Sequence, residues 1–277
     1  MTLTAITRDV IGPGIQVTLA SGDDRLITEG TTVLSTDSTV ILGTSDNIIY
    51  VYGSVYGAGL GIVTQGDNNK VVVGATGSVG IFTEFGSVGF STSAAGNNGE
   101  IINHGTISGG MALYASLGLN ARFENTGFAI GTEVFVFENM DSGSVNRIYN
   151  SGYAQGTSYG VNILDNAGTQ ISYIYNSGHL GGDVAAISGS GDIKNVYNSG
   201  MLFGNINLGD GNDLFDGCGG TVQNGAVAGG AGDDTYIVDD LSVVLVEGVS
   251  EGIDTVQSEV NWRLANNFEN LELFGNN

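Results

Sequence analysis

A repeat of asparagine and glycine is the feature that most limits what this chain can fold into. Five asparagines, each followed two residues later by glycine, recur at intervals of 22, 25, 26 and 22 residues: Asn103, Asn125, Asn150, Asn176 and Asn198. An apolar residue stands two places before each asparagine and another four places after it. This alternation of strand and turn with a nearly constant period is typical of a solenoid. The sequence therefore predicts that the asparagines stack in one column, with their amides paired along it.

The glycine and proline contents favour an all-β chain. The 277 residues include 47 glycines and one proline, and 41% of them are hydrophobic, which is enough to bury a core. Frequent glycine beside many valines, isoleucines, threonines and tyrosines favours short strands joined by tight turns. We predict a right-handed parallel β-helix, or β-solenoid, over residues 1–204, built from degenerate coils of 21–29 residues.

Two similar glycine-rich segments follow this repeat. Residues 209–215 read Gly-Asp-Gly-Asn-Asp-Leu-Phe, and residues 230–236 read Gly-Ala-Gly-Asp-Asp-Thr-Tyr. Both fit a nonapeptide in which glycines turn the backbone tightly and a large apolar residue follows an aspartate by two places. The aspartate supplies carboxylate oxygen, and a hard cation such as Ca²⁺ binds about six to eight oxygens. Each segment is therefore a candidate cation-binding loop.

The spacing of the two loops predicts that they act together. Gly211 and Gly232 are 21 residues apart, which is close to one coil, so we expect the loops to stack on the same edge. Neighbouring strands lie about 4.8 Å apart, so successive loops can share one cation. We expect one such site or two; the alternative is a pair of Asp-Gly turns that bind nothing. An EF-hand is excluded, because Leu214 stands where its third ligand belongs.

These loops resemble the calcium-binding nonapeptides of the repeats-in-toxin, or hemolysin-type, proteins that bacteria secrete, here with autotransporter-like β-solenoid repeats upstream. Residues 254–256 and 267–273 are similar to the segment that often follows such repeats, and one departure is Leu208, which stands where the first glycine belongs. The resemblance covers about the last quarter of the chain. It implies Ca²⁺ as the cofactor, bound between stacked turns, with Asp213 and Asp234 as the side-chain ligands. The implied metal-site residues are Gly209, Asp210, Gly211, Asn212, Asp213, Gly230, Ala231, Gly232, Asp233 and Asp234.

Domain boundaries and location follow from the same resemblance. Residues 205–240 would form a short calcium-binding β-roll, and residues 241–277 a strand-rich cap whose pattern stops at residue 277, as in a truncated chain. Within the cap, the alternation of apolar and polar residues predicts one strand over residues 254–264 and another over residues 271–273. The N-terminus lacks the basic and apolar regions of a signal peptide, and no apolar run is long enough to predict a membrane span. Members of the family are exported through type I machinery without such a peptide, which implies an extracellular protein.

The acidic residues are concentrated in this last part of the chain. The formal net charge is −22, and residues 205–277 carry 13 of the 29 acidic residues with a single base, Arg263. Crowded carboxylates repel one another and destabilise a folded chain unless cations neutralise them. Nucleic-acid binding is disfavoured, since no patch of lysine and arginine is present to displace phosphate counterions.

A row of tyrosines is the candidate contact surface for a partner. Side chains alternate across a strand, so the residues one and three places before each asparagine should face outward. One row is then Tyr149, Tyr175 and Tyr197, and the next is Arg122, Arg147 and Tyr173. We expect the tyrosines to stack on one another and stabilise the sheet. The alternative is an exposed strip that binds a glycan or a protein partner.

The residues that an enzyme would need are sparse. The only lysines are Lys70 and Lys194, and the histidines, His104 and His179, fall beside turns of different coils without an acidic pair. We therefore predict no catalytic residues, and a secreted, calcium-binding, non-enzymatic β-solenoid with a structural, surface or adhesion-like role. The alternative is a polysaccharide-active β-helix, of lyase or epimerase type, or the non-catalytic module of such an enzyme.

Overall fold

The chain is a parallel β-solenoid of about 11 turns. The computed structural model describes residues 2–81, 89–91, 97–164 and 169–274. Within these ranges there are 29 strands, numbered here in chain order, and no helix, so the all-β prediction is confirmed. None of the described residues belongs to a helix that is long and apolar enough to span a membrane.

Two 13-stranded sheets run along the solenoid, and strands that neighbour each other in them pair in parallel. The first contains β1 (Thr2–Ile6), β4 (Asp23–Ile27), β7 (Ile48–Val51), β10 (Lys70–Val73), β13 (Glu100–Asn103), β15 (Arg122–Asn125), β17 (Val145–Asn150), β19 (Ile171–Asn176), β21 (Ile193–Asn198), β23 (Leu214–Asp216), β26 (Thr235–Val238), β28 (Thr255–Ser258) and β29 (Asn270–Leu273).

The second sheet stands across the core from the first. It contains β2 (Val10–Gly12), β5 (Thr32–Ser35), β8 (Ser54–Gly57), β11 (Ser78–Ile81), β14 (Thr106–Ser116), β16 (Phe128–Glu138), β18 (Tyr153–Leu164), β20 (His179–Ser188), β22 (Met201–Asn207), β25 (Val227–Ala228) and β27 (Leu245–Val246), with β12 (Gly89–Ser91) on β14 and β24 (Thr221–Gln223) on β22. A third, short sheet joins β3 (Val17–Thr18), β6 (Ile41–Gly43) and β9 (Ile62–Thr64).

The core consists of the apolar rows that the repeat predicts. Both rows are buried, the one before each asparagine and the one after it: Ile101, Phe123, Ile148, Ile174 and Val196, then Ile107, Ala129, Ala154, Leu180 and Leu202. Residues that pair across neighbouring strands occupy the same place in successive coils, so like side chains stack on like side chains inside the solenoid.

The asparagine column is present as predicted. Each amide donates from Nδ2 to Oδ1 of the next asparagine at 2.8 Å, through all four steps from Asn103 to Asn198. The glycine two places after each asparagine is required by the closeness of the turns. A Cβ on Gly127, for example, would overlap the carbonyl oxygen of Gly105. Asparagine and glycine together thus fix the distance and the register between coils.

A second ladder, which sequence reasoning did not identify, lies on an exposed edge. Asn68 donates to Asp46 at 3.0 Å, Asn98 to Asn68 at 3.1 Å, and Asn120 to Asn98 at 3.3 Å. All four residues have a positive φ, between 56° and 62°. Asparagine and aspartate tolerate this left-handed conformation better than other non-glycine residues, so the ladder marks a tight corner of the coil.

The strand predicted over residues 254–264 is too long. The strand β28 ends at Ser258, whose hydroxyl bonds both the N–H and the carbonyl of Val260, at 3.2 and 2.9 Å, and turns the chain out of the sheet. Trp262 and Leu264 nevertheless pack, partly buried, against the core. The strands β28 and β29 extend the first sheet in parallel beyond β26.

Replacing Asn150 by alanine tests the asparagine ladder. Asn150 donates to Asn176 Oδ1 and to the His179 carbonyl, both at 2.8 Å, and accepts from Asn125. Each buried group left without its partner costs about 1–3 kcal/mol. We therefore expect the free energy of unfolding, measured by denaturant titration, to fall by about 3 kcal/mol or more. Asn195→Ala, on the outer face of β21, is the control, and an equal loss in both variants would contradict this role.

Candidate metal centre

The two glycine-aspartate loops stack on each other as their spacing predicts. Gly209 N–H donates to the Gly229 carbonyl at 2.8 Å, and Gly211 N–H donates to the Ala231 carbonyl at 2.7 Å. The strands that follow the loops pair in parallel, with Leu214 opposite Thr235. A third loop, residues 250–254, stacks on the second, since Gly232 N–H donates to the Glu251 carbonyl at 2.7 Å.

The glycines of these loops are required by both conformation and space. Gly209, Gly211, Gly230 and Gly232 have φ values of 100°, 126°, 98° and 139°, which residues with a Cβ rarely adopt. A Cβ on Gly230 would overlap the carbonyl oxygen of Gly209, and one on Gly232 would overlap that of Gly211. The carbonyl oxygens of one loop therefore point into the gap toward the next loop.

The side chains of the predicted metal-site residues divide into two groups. Asp213 and Asp234 are buried, with exposed fractions of 3% and 1%. The side chains of Asp210, Asn212, Ala231 and Asp233 are exposed. Two of the exposed ones join the loops: Asn212 accepts from Asp233 N–H at 3.0 Å, and Asp233 accepts from Ile253 N–H at 2.9 Å.

The buried aspartates form a column that runs through successive coils. Lys194 N–H donates to Asp213 Oδ1 at 2.7 Å, Asp213 N–H to Asp234 Oδ1 at 2.7 Å, and Asp234 N–H to Asp254 Oδ1 at 2.9 Å. The column ends where Asp254 N–H donates to Glu269 Oε2 at 2.8 Å. Among the described residues, Asp213 Oδ2 and Asp234 Oδ2 are buried without a hydrogen-bond partner. One oxygen of each carboxylate thus accepts a backbone N–H, and the other has no hydrogen-bond partner among the described residues.

Glu247 completes a cluster that sequence reasoning missed. Asp234, Glu247 and Asp254 are all buried, and each offers an oxygen within 4.8 Å of the other two. Glu247 Oε1 accepts from Gly229 N–H at 3.2 Å and from the Tyr236 hydroxyl, while Oε2 has no partner within the described ranges. Glu247 follows β27 on the second sheet, and its inward position continues the alternation of buried Val243 and Leu245. That alternation is the only sequence signal for it.

Burial sets the electrostatics of these carboxylates. Desolvation raises the pKa of both Asp213 and Asp234 to about 7, and that of Glu247 to about 8. Mutual repulsion adds to this: Asp254 and Asp234 both raise the pKa of Glu247, and Asp213 and Asp254 raise that of Asp234. Near neutral pH the column therefore needs positive charge, supplied by protons or by a bound cation.

The donor set suits a hard cation. The atoms that face the gaps between loops are carboxylate and carbonyl oxygens, the ligands that Ca²⁺ prefers. Zinc sites are usually built from cysteine and histidine, and Cys218, partly buried, lies in the opposite turn. The residues present therefore fit calcium chemically.

The tyrosine row faces outward as predicted, and its rings stack. The centroids of Tyr149 and Tyr175 are 5.0 Å apart with planes at 7°, and those of Tyr175 and Tyr197 are 5.0 Å apart at 8°. The Arg122 guanidinium carbon lies 4.9 Å from the centroid of Tyr149 and covers the first ring, while Asp216 is the neighbour of Tyr197 on the next strand. The ring faces are thus occupied by their neighbours, and a partner would meet ring edges.

A surface groove of about 530 Å³ runs beside this row. Its lining includes the three tyrosines and a parallel row of hydroxyls from Ser151, Ser177 and Ser199. Sugar rings usually lie flat on aromatic faces, and the faces of these tyrosine rings are covered by their neighbours. Contact with a glycan or a protein partner at this surface stays a prediction.

A scan against protein-family models and searches among curated proteins and solved structures find no match to this chain. The resemblance of the loops to repeats-in-toxin nonapeptides therefore rests on the residues of the loops alone.

The stability of the chain without metal is expected to fall as pH rises. The pKa values of Asp213, Asp234 and Glu247 lie above those of ordinary carboxyl groups, so the folded chain holds protons that the unfolded chain releases above about pH 4. Their contribution is present below that pH and is lost as pH approaches 7 to 8. In chelator, the midpoint of denaturation should be lower at pH 8 than at pH 5.

Asp213→Asn with Asp234→Asn is the control for this pH dependence, because amides do not titrate. The double variant should lose less stability than the parent chain between the same two pH values. A midpoint that rises with pH in both proteins would contradict the assignment.

Tyr175→Ala is expected to lower stability. Tyr175 stacks on a ring at each side, and an aromatic pair contributes about 0.5–1.5 kcal/mol beyond its buried area. We expect the free energy of unfolding to fall by about 1–3 kcal/mol, and by less in Tyr50→Ala, on β7 outside the row. Loss of binding on a glycan array with an unchanged melting temperature would instead support a ligand-binding role.

Proposed function

We propose that the acidic column binds Ca²⁺ and that bound calcium orders the C-terminal coils. The observation that carries the proposal is the set of buried carboxylate oxygens, Asp213 Oδ2, Asp234 Oδ2 and Glu247 Oε2, that have no partner among the described residues. A buried polar atom without a partner costs about 1–3 kcal/mol, and more when it is charged. A divalent cation would remove this cost at several atoms at once.

Two neighbouring positions could hold the ion. One is the gap between the first and second loops, where the Gly209 and Gly211 carbonyls point toward Gly230 and Gly232 and the Asp234 carboxylate accepts the Asp213 N–H. The other is the cluster of Asp234, Glu247 and Asp254. Calcium accepts irregular sets of about six to eight oxygens, whereas magnesium requires an octahedron and keeps several waters. Buried carbonyls and carboxylates therefore favour calcium.

Calcium binding would make the fold of this region conditional. Ligand that binds only the folded form stabilises it by RT ln(1 + [Ca²⁺]/Kd), which is about 2.7 kcal/mol at a hundredfold excess over Kd. Upstream, the asparagine ladder is built from neutral amides and needs no cation. Residues 209–257 would therefore be loose where calcium is scarce and ordered where it is plentiful.

This dependence fits a secreted protein that is exported through type I machinery and folds outside the cell. Its proposed role there is non-enzymatic: a structural, surface or adhesion-like solenoid, with the tyrosine row as the face for a partner. The stacked repeats supply a long, regular surface, and the column supplies a calcium-dependent end.

Calorimetric titration of calcium into the purified chain, after removal of bound metal, tests the proposal. We expect Asp213→Asn with Asp234→Asn to lower the affinity at least about tenfold, which corresponds to about 1.4 kcal/mol. Asp210→Asn is the matched control, since it removes an exposed carboxylate from the same loop and should change the affinity much less.

Hydrogen exchange locates the effect of the ion. With calcium, amides of residues 209–257 should be more strongly protected than in chelator, while amides of the asparagine-ladder strands should exchange equally in both conditions. Equal protection of residues 209–257 in the two conditions would sink the proposal.

A further inference from the structure

Lys194 is a fully buried lysine at the head of the acidic column. Its exposed fraction is 0%, and the polar partners of its ammonium among the described residues are oxygen atoms. Nζ is 3.1 Å from the Asp210 carbonyl and 3.1 Å from Asp192 Oδ1, and it also donates to the carbonyls of Ser190 and Asp192. The contact with Asp192 Oδ1 is an ion pair without hydrogen-bond geometry. Three carbonyls and a carboxylate thus surround one positive charge.

The sequence position of Lys194 corresponds to that of the column aspartates. Lys194 N–H donates to Asp213 Oδ1, as Asp213 N–H donates to Asp234 Oδ1 one coil later. In the register of the first sheet, Asn195 pairs with Leu214, and Leu214 with Thr235. The column therefore begins with a lysine and continues with aspartates.

The carbonyls that bind the ammonium are equivalent to those that face the next gap. The Ser190 and Asp192 oxygens lie 2.8 Å from where a Cβ would stand on Gly209 and Gly211. One coil later, the Gly209 and Gly211 oxygens face Gly230 and Gly232 in the same way, at still closer range. The ammonium and the gap between the first and second loops thus occupy successive positions of one series.

We propose that the Lys194 ammonium is a tethered cation that permanently fills the first position of this series, and that removing the side chain exposes a latent cation site there. The ligands of that site would be Asp192, Asp213 and the carbonyls that now hold Nζ. The lysine side chain packs closely against Gly189, where a Cβ would lie only 2.6 Å from Lys194 Cε, so this position has room for the lysine only because it is glycine. A buried carboxylate pair without a compensating charge is strongly destabilising, so the lysine keeps the junction folded without any free ion.

The identity of calcium as the ion of the next gap rests on the proposed function, but the tethered cation does not. Lys194→Ala leaves an open gap, whereas Lys194→Met fills it with an uncharged chain of similar length. In metal-free buffer both variants should have a lower melting temperature than the parent chain. Added methylammonium or ethylammonium, and separately Ca²⁺, should raise the melting temperature of Lys194→Ala well above any effect on Lys194→Met.

Calcium stoichiometry gives a second readout. Lys194→Ala should bind one more calcium ion per chain than the parent does, and Lys194→Met should bind no more than the parent. Lys70→Ala is the control for loss of a positive charge, because Lys70 pairs with Glu100 at 2.6 Å on the outer face, and it should leave the stoichiometry unchanged.

If Lys194→Ala does not fold, Lys194→Ala combined with Asp192→Asn decides the question. Removing the uncompensated carboxylate should recover folding, and failure to recover it would overturn the role of Lys194 as a counter-ion. Absence of rescue by alkylammonium ions and by Ca²⁺ in a folded Lys194→Ala would overturn the latent site. If the parent chain binds no calcium, the proposed calcium-binding function is wrong. Rescue of Lys194→Ala by alkylammonium ions would still support the role of the Lys194 ammonium as a tethered cation.

Discussion

The structure depends on one constraint: parallel strands of successive coils pair in register, so each side chain lies on its counterpart one coil away. Stacking like on like is favourable for apolar rows and for aromatic rings, which explains the buried isoleucines and the outer tyrosines. Asparagine is the polar residue that best satisfies the constraint, because its amide donates on one side and accepts on the other. Five coils use it in this way between Asn103 and Asn198.

A carboxylate cannot satisfy the same constraint by itself, because it accepts hydrogen bonds and does not donate them. In the acidic coils the backbone satisfies one oxygen of each carboxylate: each aspartate accepts the N–H of the column residue before it, as Asp234 does from Asp213. The second carboxylate oxygens of Asp213 and Asp234 are not satisfied by the chain, since they have no hydrogen-bond partner in the described ranges. A column of carboxylates therefore needs a cation, whereas the separate column of asparagine amides satisfies itself.

The features that could be predicted from the sequence are those that recur at an almost constant interval. The asparagine column, the apolar rows and the stacking of the two loops were predictable because each recurs at an almost constant interval on one face. The exposed ladder was not, because its members are 22, 30 and 22 residues apart. Glu247 was also missed, since it reaches Asp234 from the opposite sheet, a contact that arises only when the coil closes. The sequence identifies Lys194 only as one of two lysines, because its burial depends on its register with Asp213.

The two ends of the column differ from its middle in how they handle charge. At one end the Lys194 ammonium lies among Asp192 and the loop carbonyls, and its charge offsets part of the rise that desolvation causes in the pKa of Asp213. At the other end the last carboxylate, Glu269, is exposed, so water screens it. Asp234 and Glu247 lie between these ends, and desolvation and mutual repulsion both raise their pKa. A free cation is therefore needed most in the middle of the column, between the buried Lys194 ammonium at one end and the solvent-exposed Glu269 carboxylate at the other.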